Sequence, residues 1–141
     1  MLLEIITPEK TVLNEEIDEI LVPTEKGQIG ILPHHINLIT KLTAGEMIIR
    51  SNGKERALAV TGGFLEVKNQ KVTVLADYAE HADKIDTDQA LAAKNRAEEV
   101  LKNKDKGINE QDLRAAQSEL RRALLQLHIS ENYRKKIHRT S

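Results

Sequence analysis

Cysteine and tryptophan are absent from this chain of 141 residues, and only Phe64, Tyr78 and Tyr133 are aromatic. Without cysteine there are no disulfides, no thiolate metal sites and no cysteine nucleophile. So few aromatic residues require an aliphatic core, and they lack the flat side chains with which nucleic-acid readers stack on bases. The net charge of −1 supplies no polycationic field for nucleic acid either. We therefore expect no nucleic-acid partner.

Long hydrophobic runs are also missing. No run approaches the roughly 20 apolar residues of a membrane-spanning helix, and the opening stretch MLLEIITPEK lacks the basic and cleavage regions of a secretion signal. Direct membrane insertion is therefore not expected, whereas docking on a membrane-bound complex stays open. Residues 1–84 carry 9 Lys and Arg against 13 Asp and Glu, and residues 85–141 carry 12 against 9. This charge difference predicts two parts with different surroundings.

Glycine and proline are concentrated early in the chain. All three prolines and six of the seven glycines precede residue 64, and only Gly107 follows. Frequent glycine and proline residues between short apolar runs are typical of strands and turns. The apolar runs recur about every 8–12 residues, which is the spacing of strands in a β-sandwich. Asn52-Gly53 and Asn69-Gln70 fall between runs and predict hairpin turns. The predicted strands are Leu2–Ile6, Ile17–Val22, Ile29–Leu32, Ile36–Thr40, Met47–Arg50, Ala57–Val60, Phe64–Val67 and Val72–Leu75.

From residue 85 the apolar period becomes helical. Asp86 is a predicted N-cap with Gln89 as its capping-box partner, and Asn109 is the predicted cap of a second helix. The apolar positions of the first helix are Ala90, Ala93, Ala97 and Leu101. Those of the second are Leu113, Ala116, Leu120, Leu124 and Leu127. The predicted fold is an N-terminal β-sandwich domain, residues 1–84, followed by a C-terminal antiparallel α-helical hairpin with a basic tail, residues 85–141.

The stretch GQIGILPHH, residues 27–35, is the first candidate for a site. His34 and His35 are adjacent, and neighbours on an extended strand point to opposite sides, so they chelate one metal ion poorly. Gly27 and Pro33 instead favour a rigid exposed turn, and rigid loops on small scaffolds often bind partners. No G-x-S-x-G nucleophile motif and no phosphate-binding P-loop is present. The sequence therefore favours binding over catalysis or a metal site.

Basic residues gather in the second part of the chain. Arg114, Arg121 and Arg122 fall on one predicted helix. A tail cluster consists of Arg134, Lys135, Lys136 and Arg139. Two interpretations stay open, a solvated helix face with a frayed terminus, and docking onto acidic protein or nucleotide phosphate.

The order of these motifs resembles a known family. GQIGILPHH followed by INLIT, then VTGGFLEVKNQKVTVLAD and a helical hairpin, is similar to the epsilon subunit of the rotary F-type ATP synthase. The resemblance covers nearly the whole chain and weakens beyond about residue 130. It implies a β-sandwich with a helix pair, and a non-catalytic subunit of the central stalk. The implied partners are the gamma subunit, the membrane-embedded ring of c subunits and, through the C-terminal helices, the alpha/beta catalytic head.

By this resemblance, GQIGILPHH faces the ring, with Gln28 and His35 at ring-contacting positions. Relatives often carry Glu at the first position, and Gln28 keeps the hydrogen-bonding shape without the charge. The helix pair is implied to fold down beside the sandwich or to extend into the catalytic head, where it inhibits ATP hydrolysis. Arg114, Arg121 and Arg122 are the candidate contacts to acidic loops of the head.

Some relatives also bind ATP in the folded-down state, and the resemblance implies no required cofactor. The matched nucleotide positions are Glu80, Asp86, Arg96 and Arg122. Gln89 and Gln126 replace arginines of that site, which weakens phosphate binding by roughly 1–3 kcal/mol each if those bonds are charge-assisted. The capping box already accounts for Asp86 and Gln89 without a nucleotide. Regulatory ATP stays an open alternative.

The predicted function is a non-catalytic central-stalk subunit of a proton-translocating F-type ATP synthase. It would couple ring rotation to the catalytic head and inhibit ATP hydrolysis through its C-terminal helices. The predicted location is peripheral, on the cytoplasmic face of the bacterial plasma membrane. The rival is a free-standing small-molecule sensor whose hairpin closes over a nucleotide, and an enzyme ranks third.

Overall fold

The chain folds as two compact units. The computed structural model describes residues 1–140, without the side chains of residues 104 and 138–140. The first unit is Met1–Ala82, and the second begins at Asp83. The side chain of Arg139, assigned above to the basic tail, lies outside the described residues.

The first unit is built from eight β-strands. They are β1 (Leu2–Ile6), β2 (Thr11–Glu16), β3 (Glu19–Thr24), β4 (Gly27–Ile31), β5 (Leu38–Leu42), β6 (Gly45–Ser51), β7 (Lys54–Lys68) and β8 (Lys71–His81). Every predicted run lies in or overlaps one of them. The sequence missed β2, whose segment TVLNEE is mostly polar. It also divided β7 into two strands, which is wrong.

Pairing of the strands produces the predicted sandwich. Hydrogen bonds link them in the order β2-β1-β8-β7-β5-β3-β4, and β6 pairs with β3 and β7. One edge of β7 pairs with β8 along most of its length, while the other edge pairs first with β6 and then with β5. β1 lies parallel to β8, so the first and last strands of the unit are neighbours. β7 thus pairs with β5, β6 and β8, and β8 pairs with β1 and β7. These shared strands connect the two layers of the sandwich, which enclose one core.

The glycine pair Gly62-Gly63 lies inside β7, where its partner changes from β6 to β5. Pairing with β8 keeps the same register on both sides, so the strand runs through the pair without a turn or a bulge. Gly63 has a φ of 127°, and a Cβ there would lie 2.0 Å from the carbonyl oxygen of Leu75. Only glycine fits this close approach of two backbones.

The core of the first unit is aliphatic, as the composition predicted. Val72 and Val74 of β8 are buried against Leu65 and Val67 of β7, and the residues between them face outward. Burial of each Val or Leu side chain contributes about 1.5–3 kcal/mol. A slip of one residue would turn this whole set toward solvent, so the alternation fixes the strand register.

Two-residue turns close two hairpins at the predicted places. Asn52 and Gly53 have φ angles of 53° and 75°, and Asn69 and Gln70 have φ angles of 51° and 65°. Positive φ at both positions is the type I′ turn, whose twist matches that of the paired strands. These turns set the β6–β7 and β7–β8 pairings.

The second unit is a pair of helices, α1 (Thr87–Lys102) and α2 (Glu110–Thr140). A 3₁₀ turn, Lys104–Lys106, lies between them, and another, Ala82–Lys84, precedes α1. Within the described part of the chain, no helix is long and apolar enough to span a membrane.

Both helices begin at the predicted caps. The Asp86 carboxylate accepts the backbone N–H groups of Asp88 and Gln89, each at 3.1 Å. The Asn109 side-chain oxygen accepts the backbone N–H of Asp112 at 2.8 Å. These bonds satisfy N–H groups that have no partner inside a helix.

The two helices pack through small residues. Ala90 and Ala97 of α1 are buried, as are Ala116 and Ala123 of α2. Each pair is seven residues apart, about two turns, so a small-residue stripe on one helix allows close approach of the other. Leu124, predicted to be in the stripe, is instead 46% exposed. Along α2, Leu113, Ala116, Leu120, Ala123 and Leu127 are buried or half-buried at helical spacing, and Ile129 and Ser130 are buried further along the helix.

Candidate functional site

The stretch GQIGILPHH forms β4 and the start of the β4–β5 loop, residues 32–37. The His35 backbone N–H donates to the Leu32 carbonyl at 3.1 Å. Pro33 takes the second position of this turn and His34 the third, with a φ of 69°. This is the pattern of a type II turn, which favours proline second and needs positive φ third. The predicted turn is confirmed, with a histidine at a position that usually holds glycine.

His34 is held by Gln70 of the β7–β8 turn. Gln70 Oε1 accepts the His34 backbone N–H at 3.1 Å, and Gln70 Nε2 lies 3.3 Å from His34 Nδ1. The first bond fixes the orientation of the amide, because an N–H donor needs an oxygen. The second then makes Nδ1 the acceptor, so the neutral ring carries its hydrogen on Nε2. The Gln70 carbonyl also accepts the Leu2 N–H at 3.0 Å, which connects the same residue to β1.

The two predicted ring-contact residues lie in one segment but on different surfaces. Gln28 is exposed on β4, opposite Pro23 of β3. His35 is half-buried, and its Nδ1 donates to the Ile36 carbonyl at 2.7 Å, which leaves Nε2 as the acceptor of the neutral ring. His35 lines an open groove of about 610 Å³ with Ile29. Ile29 and Gln28 are consecutive strand residues and point to opposite faces.

Large apolar side chains are exposed in and beside the β4–β5 loop. Leu32 is 56% exposed, Ile36 79% and Ile39 72%. Single exposed apolar residues are ordinary, but several close together mark a contact surface. The loop therefore combines a fixed turn, apolar side chains and the polar groups of His35.

The histidines of this loop are not grouped with further side chains that bind metal ions. Among the described residues, no group of three or more His, Asp or Glu side chains is placed to hold a metal ion. The Nδ1 atoms of His34 and His35 are already engaged, the first with Gln70 and the second with the Ile36 carbonyl.

The candidate nucleotide residues of the helical unit occupy separate places. Asp86 caps α1, whereas Arg96 lies ten residues further along the same helix, about 15 Å at a rise of 1.5 Å per residue. Arg96 donates to Glu119 of α2 at 3.2 Å. Arg122 is one turn from Glu119 on α2, so it shares this stretch of the hairpin with Arg96. The hairpin therefore groups the two arginines and leaves Asp86 apart.

The remaining candidate, Glu80, belongs to the first unit. It is half-buried on β8, and its carboxylate accepts a hydrogen bond from the Tyr78 hydroxyl. Gln89 and Gln126, which stand where some relatives have arginine, are exposed on α1 and half-buried on α2, respectively.

Two of the candidate inhibitory cations share the outer side of α2. Arg114 and Arg121 are exposed and seven residues apart, about two turns. Arg114 pairs with Glu110 at 3.6 Å, and Arg121 Nε donates to the Gln117 carbonyl at 3.4 Å. Exposed pairs within a helix contribute only about 0.2–0.5 kcal/mol, so a partner could replace these bonds at little cost. Leu124 is exposed one turn beyond Arg121.

Known proteins resemble the chain in both of its units. Residues 1–82 match the family model for the β-sandwich domain of the ATP synthase delta/epsilon chain, and residues 83–131 match that for its long α-helix domain. This chain belongs to the ATP synthase delta/epsilon chain family. The sequence resemblance is thereby confirmed. As a member of this family, the chain is a non-catalytic ATP synthase subunit.

Curated relatives in this family are similar along most of their length. The ATP synthase epsilon chain of Desulforamulus reducens is 45% identical over 129 residues, which cover 92% of this chain and 96% of the relative. That of Dehalococcoides mccartyi strain BAV1 is 42% identical over 133 residues, which cover 94% of each chain.

Two solved ATP synthases contain chains of the same fold. One is the Euglena gracilis mitochondrial ATP synthase, OSCP/F1/c-ring in rotational state 1, with a TM-score of 0.61, 21% identity, and coverage of 96% of this chain and 80% of that one. The other is the Tetrahymena thermophila mitochondrial ATP synthase central stalk and c-ring, with a TM-score of 0.59, 18% identity, and coverage of 92% and 96%. At these identities the likeness supports the fold alone.

Sequence reasoning gave no role to Gln70, whose side chain holds the β4–β5 loop. It lies 36 residues from His34 in the chain, and no local pattern connects them. The only sequence signal was its position in a predicted hairpin turn.

Proposed function

We propose that this chain is a central-stalk subunit of a proton-translocating F-type ATP synthase that couples rotation of the c ring to the catalytic head. The observation that carries the proposal is the β4–β5 loop, a fixed turn that exposes Leu32 and Ile36. Exposed apolar side chains on a rigid turn are suited to docking, because little conformational freedom is lost on binding.

Torque transmission requires a stiff element between the ring and the rest of the stalk. The sandwich meets this requirement, since β7 and β8 pair over most of their length and two type I′ turns close its hairpins. In the proposal the sandwich joins the gamma subunit and the c ring, and the β4–β5 loop faces the ring with Gln28 and His35 in contact.

Cysteine crosslinking tests the ring contact. Gln28→Cys and His35→Cys in the assembled complex are expected to crosslink to subunit c. Lys54→Cys is an exposed control that lies away from the β4–β5 loop. Lys54 is the first residue of β7, whereas Gln70, which holds the loop, follows the last residue of that strand. Crosslinks from position 54 alone, or from none of the three, would contradict the proposed docking surface.

The helical hairpin is the proposed inhibitor of ATP hydrolysis. Arg114, Arg121 and the exposed Leu124 lie along one side of α2, and this mixture of charge and apolar surface suits acidic loops of the alpha/beta head. Arg122 is the third cation of the proposal. The small alanine core of the hairpin gives it a modest stability of its own, which suits an element that exchanges one neighbour for another.

Hydrolysis by the assembled complex tests the inhibitory role. We expect truncation after Asp86 to raise ATP hydrolysis, and Arg114→Ala with Arg121→Ala to raise it partially. Leu91→Ala is the matched control, because Leu91 is an exposed residue of α1. Unchanged hydrolysis after truncation would remove inhibition from the proposal.

The rival function is a free-standing nucleotide sensor, and it makes different predictions. A stalk subunit should co-purify with the gamma subunit and the catalytic head at the cytoplasmic face of the bacterial plasma membrane, as a peripheral component. A sensor should be recovered alone.

Regulatory ATP is favoured by the proximity of Arg96 and Arg122 and disfavoured by the separate position of Asp86. We propose that no cofactor is required, and a micromolar calorimetric signal with Mg-ATP on the isolated protein would show that ATP is a regulatory ligand.

A further inference from the structure

We infer that Gln70 is a positioning residue for the β4–β5 loop, whose side-chain amide clamps His34 in its left-handed conformation and so holds the loop in one shape. His34 and Gln70 are not among the predicted ring-contact residues, and the family match assigns no role to either. The importance of the clamp for docking rests on the proposed function, whereas the clamp itself does not.

The loop needs such support because its turn has an unfavourable occupant. His34 stands at the third position with a φ of 69°, a conformation in which a β-carbon crowds the backbone. Glycine would enter this conformation freely, whereas histidine requires compensating contacts. Without these contacts, residues 32–37 would exchange among several shapes.

Gln70 supplies the contacts from both sides of His34. Its Oε1 accepts the backbone N–H at 3.1 Å, and its Nε2 faces the ring Nδ1 at 3.3 Å. One bond holds the main chain and the other holds the imidazole, so rotation of either would break a hydrogen bond. Histidine, unlike glycine, can make the second of these bonds.

The clamp is anchored in the sheet. Gln70 is in a type I′ turn with a φ of 65°, between Lys68 and Lys71, which pair as the last step of the β7–β8 ladder. Its carbonyl accepts the Leu2 N–H at 3.0 Å. Because Gln70 is fixed to three strands in this way, the loop is tied to the rigid part of the sandwich.

The geometry also explains what the loop presents. His34 is occupied with Gln70, while the next residue, His35, lines the open groove. Leu32 and Ile36, on either side of the two histidines, remain exposed. A loop already held in this shape avoids the ordering cost that a mobile loop would meet on docking.

Hydrogen exchange of the His34 amide in the full-length protein tests the clamp. Gln70→Ala removes both bonds, whereas Gln70→Glu keeps an oxygen that accepts the His34 N–H. Both variants leave a side chain at the same positive φ, so they share any strain in the turn. We expect exchange at His34 to rise about fivefold to tenfold in Gln70→Ala and to stay within about twofold in Gln70→Glu. The amides of Val72 and Val74 should be unchanged in both.

Three results would overturn the clamp. They are unchanged exchange at His34 in Gln70→Ala, equal acceleration in both variants, and a similar acceleration at Val72 and Val74. The last two would mean that Gln70 serves the hairpin or the whole sandwich rather than the loop.

Crosslinking in the assembled complex tests the consequence for docking. With Cys at position 35, within the clamped loop, the rate of crosslinking to subunit c should fall about fivefold in the Gln70→Ala background and be retained with Gln70→Glu. Equal rates in all backgrounds would overturn the docking role while the exchange result still decides the clamp. Absence of any crosslink from positions 28 and 35 with Gln70 present would instead refute the proposed function and, with it, the docking role.

Discussion

Gly63→Ala is expected to destabilise the sandwich far more than an ordinary glycine substitution. Gly63 has a φ of 127° inside β7, and an added Cβ would lie 2.0 Å from the Leu75 carbonyl oxygen and 2.9 Å from the Ala76 Cα. The obstruction is backbone on both counts, so no side-chain rotation relieves it. The strands β7 and β8 must separate locally.

The size of the effect follows from two terms. A residue with a β-carbon in this backbone conformation costs about 1–3 kcal/mol, and each cross-strand hydrogen bond that is lost or stretched costs about 1 kcal/mol. With one or two such bonds affected, the total is about 2–5 kcal/mol, a large part of the 5–15 kcal/mol that stabilises a typical domain. Gly53→Ala is the matched control. Its φ is 75°, and a Cβ there meets no atom within 4 Å, so it carries only the conformational cost of about 1–2 kcal/mol.

Urea titration followed by the amide signals of Leu65 and Val74 measures this difference, because both residues report the first unit alone. The two variants should differ by about 2 kcal/mol, so at a slope of about 2 kcal/mol per molar urea the midpoint for Gly63→Ala should fall by about 1 M more than that for Gly53→Ala. Equal shifts in the two variants would refute the reasoning from close backbone approach.

Two further predictions concern the helical unit. Asp86→Ala should destabilise α1 by about 1 kcal/mol, since it removes the acceptor of two backbone N–H groups, whereas Asp86→Asn should retain most of that stability. Thermal unfolding followed by circular dichroism measures the loss. Equal midpoints for the two variants would contradict the assignment of Asp86 as a helix cap. Ala123→Leu should cost about 1–3 kcal/mol because Ala123 is buried between the helices, whereas Leu124→Ala should stay within about 0.5 kcal/mol because Leu124 is exposed. Chemical denaturation monitored by the circular dichroism of the helices compares the stabilities of Ala123→Leu and Leu124→Ala. A larger loss of stability at position 124 would mean that the inner face of α2 is wrongly assigned.

Local chemistry accounts for the parts of the fold that the sequence predicted well. Asp86 and Asn109 cap helices because a side-chain oxygen near the first N–H groups is a local arrangement. Asn52-Gly53 forms a hairpin turn because these residues tolerate positive φ wherever they stand. Such features need no information from distant parts of the chain.

Errors occurred where a distant partner decides the outcome. Gly62-Gly63 interrupts β7 when read locally, but pairing with β8 carries the strand through at one register. Strand β2 is mostly polar and was missed, although pairing with β1 makes it a strand. On α2, Leu124 fits a helical period as well as Ala123 does, and the close approach of α1 favours the smaller side chain inside.

The sequence alone determined the two-part organisation of this protein, the aliphatic core, the helix caps and the turn within GQIGILPHH, because each follows from composition or from interactions between near neighbours. The tertiary structure alone decided how that turn is held. Gln70 reaches His34 across 36 positions of the chain only because the β7–β8 hairpin ends beside the β4–β5 loop. A hydrogen bond depends on the distance between two atoms in space, and that distance is set by the pairing of strands rather than by the spacing of residues along the sequence.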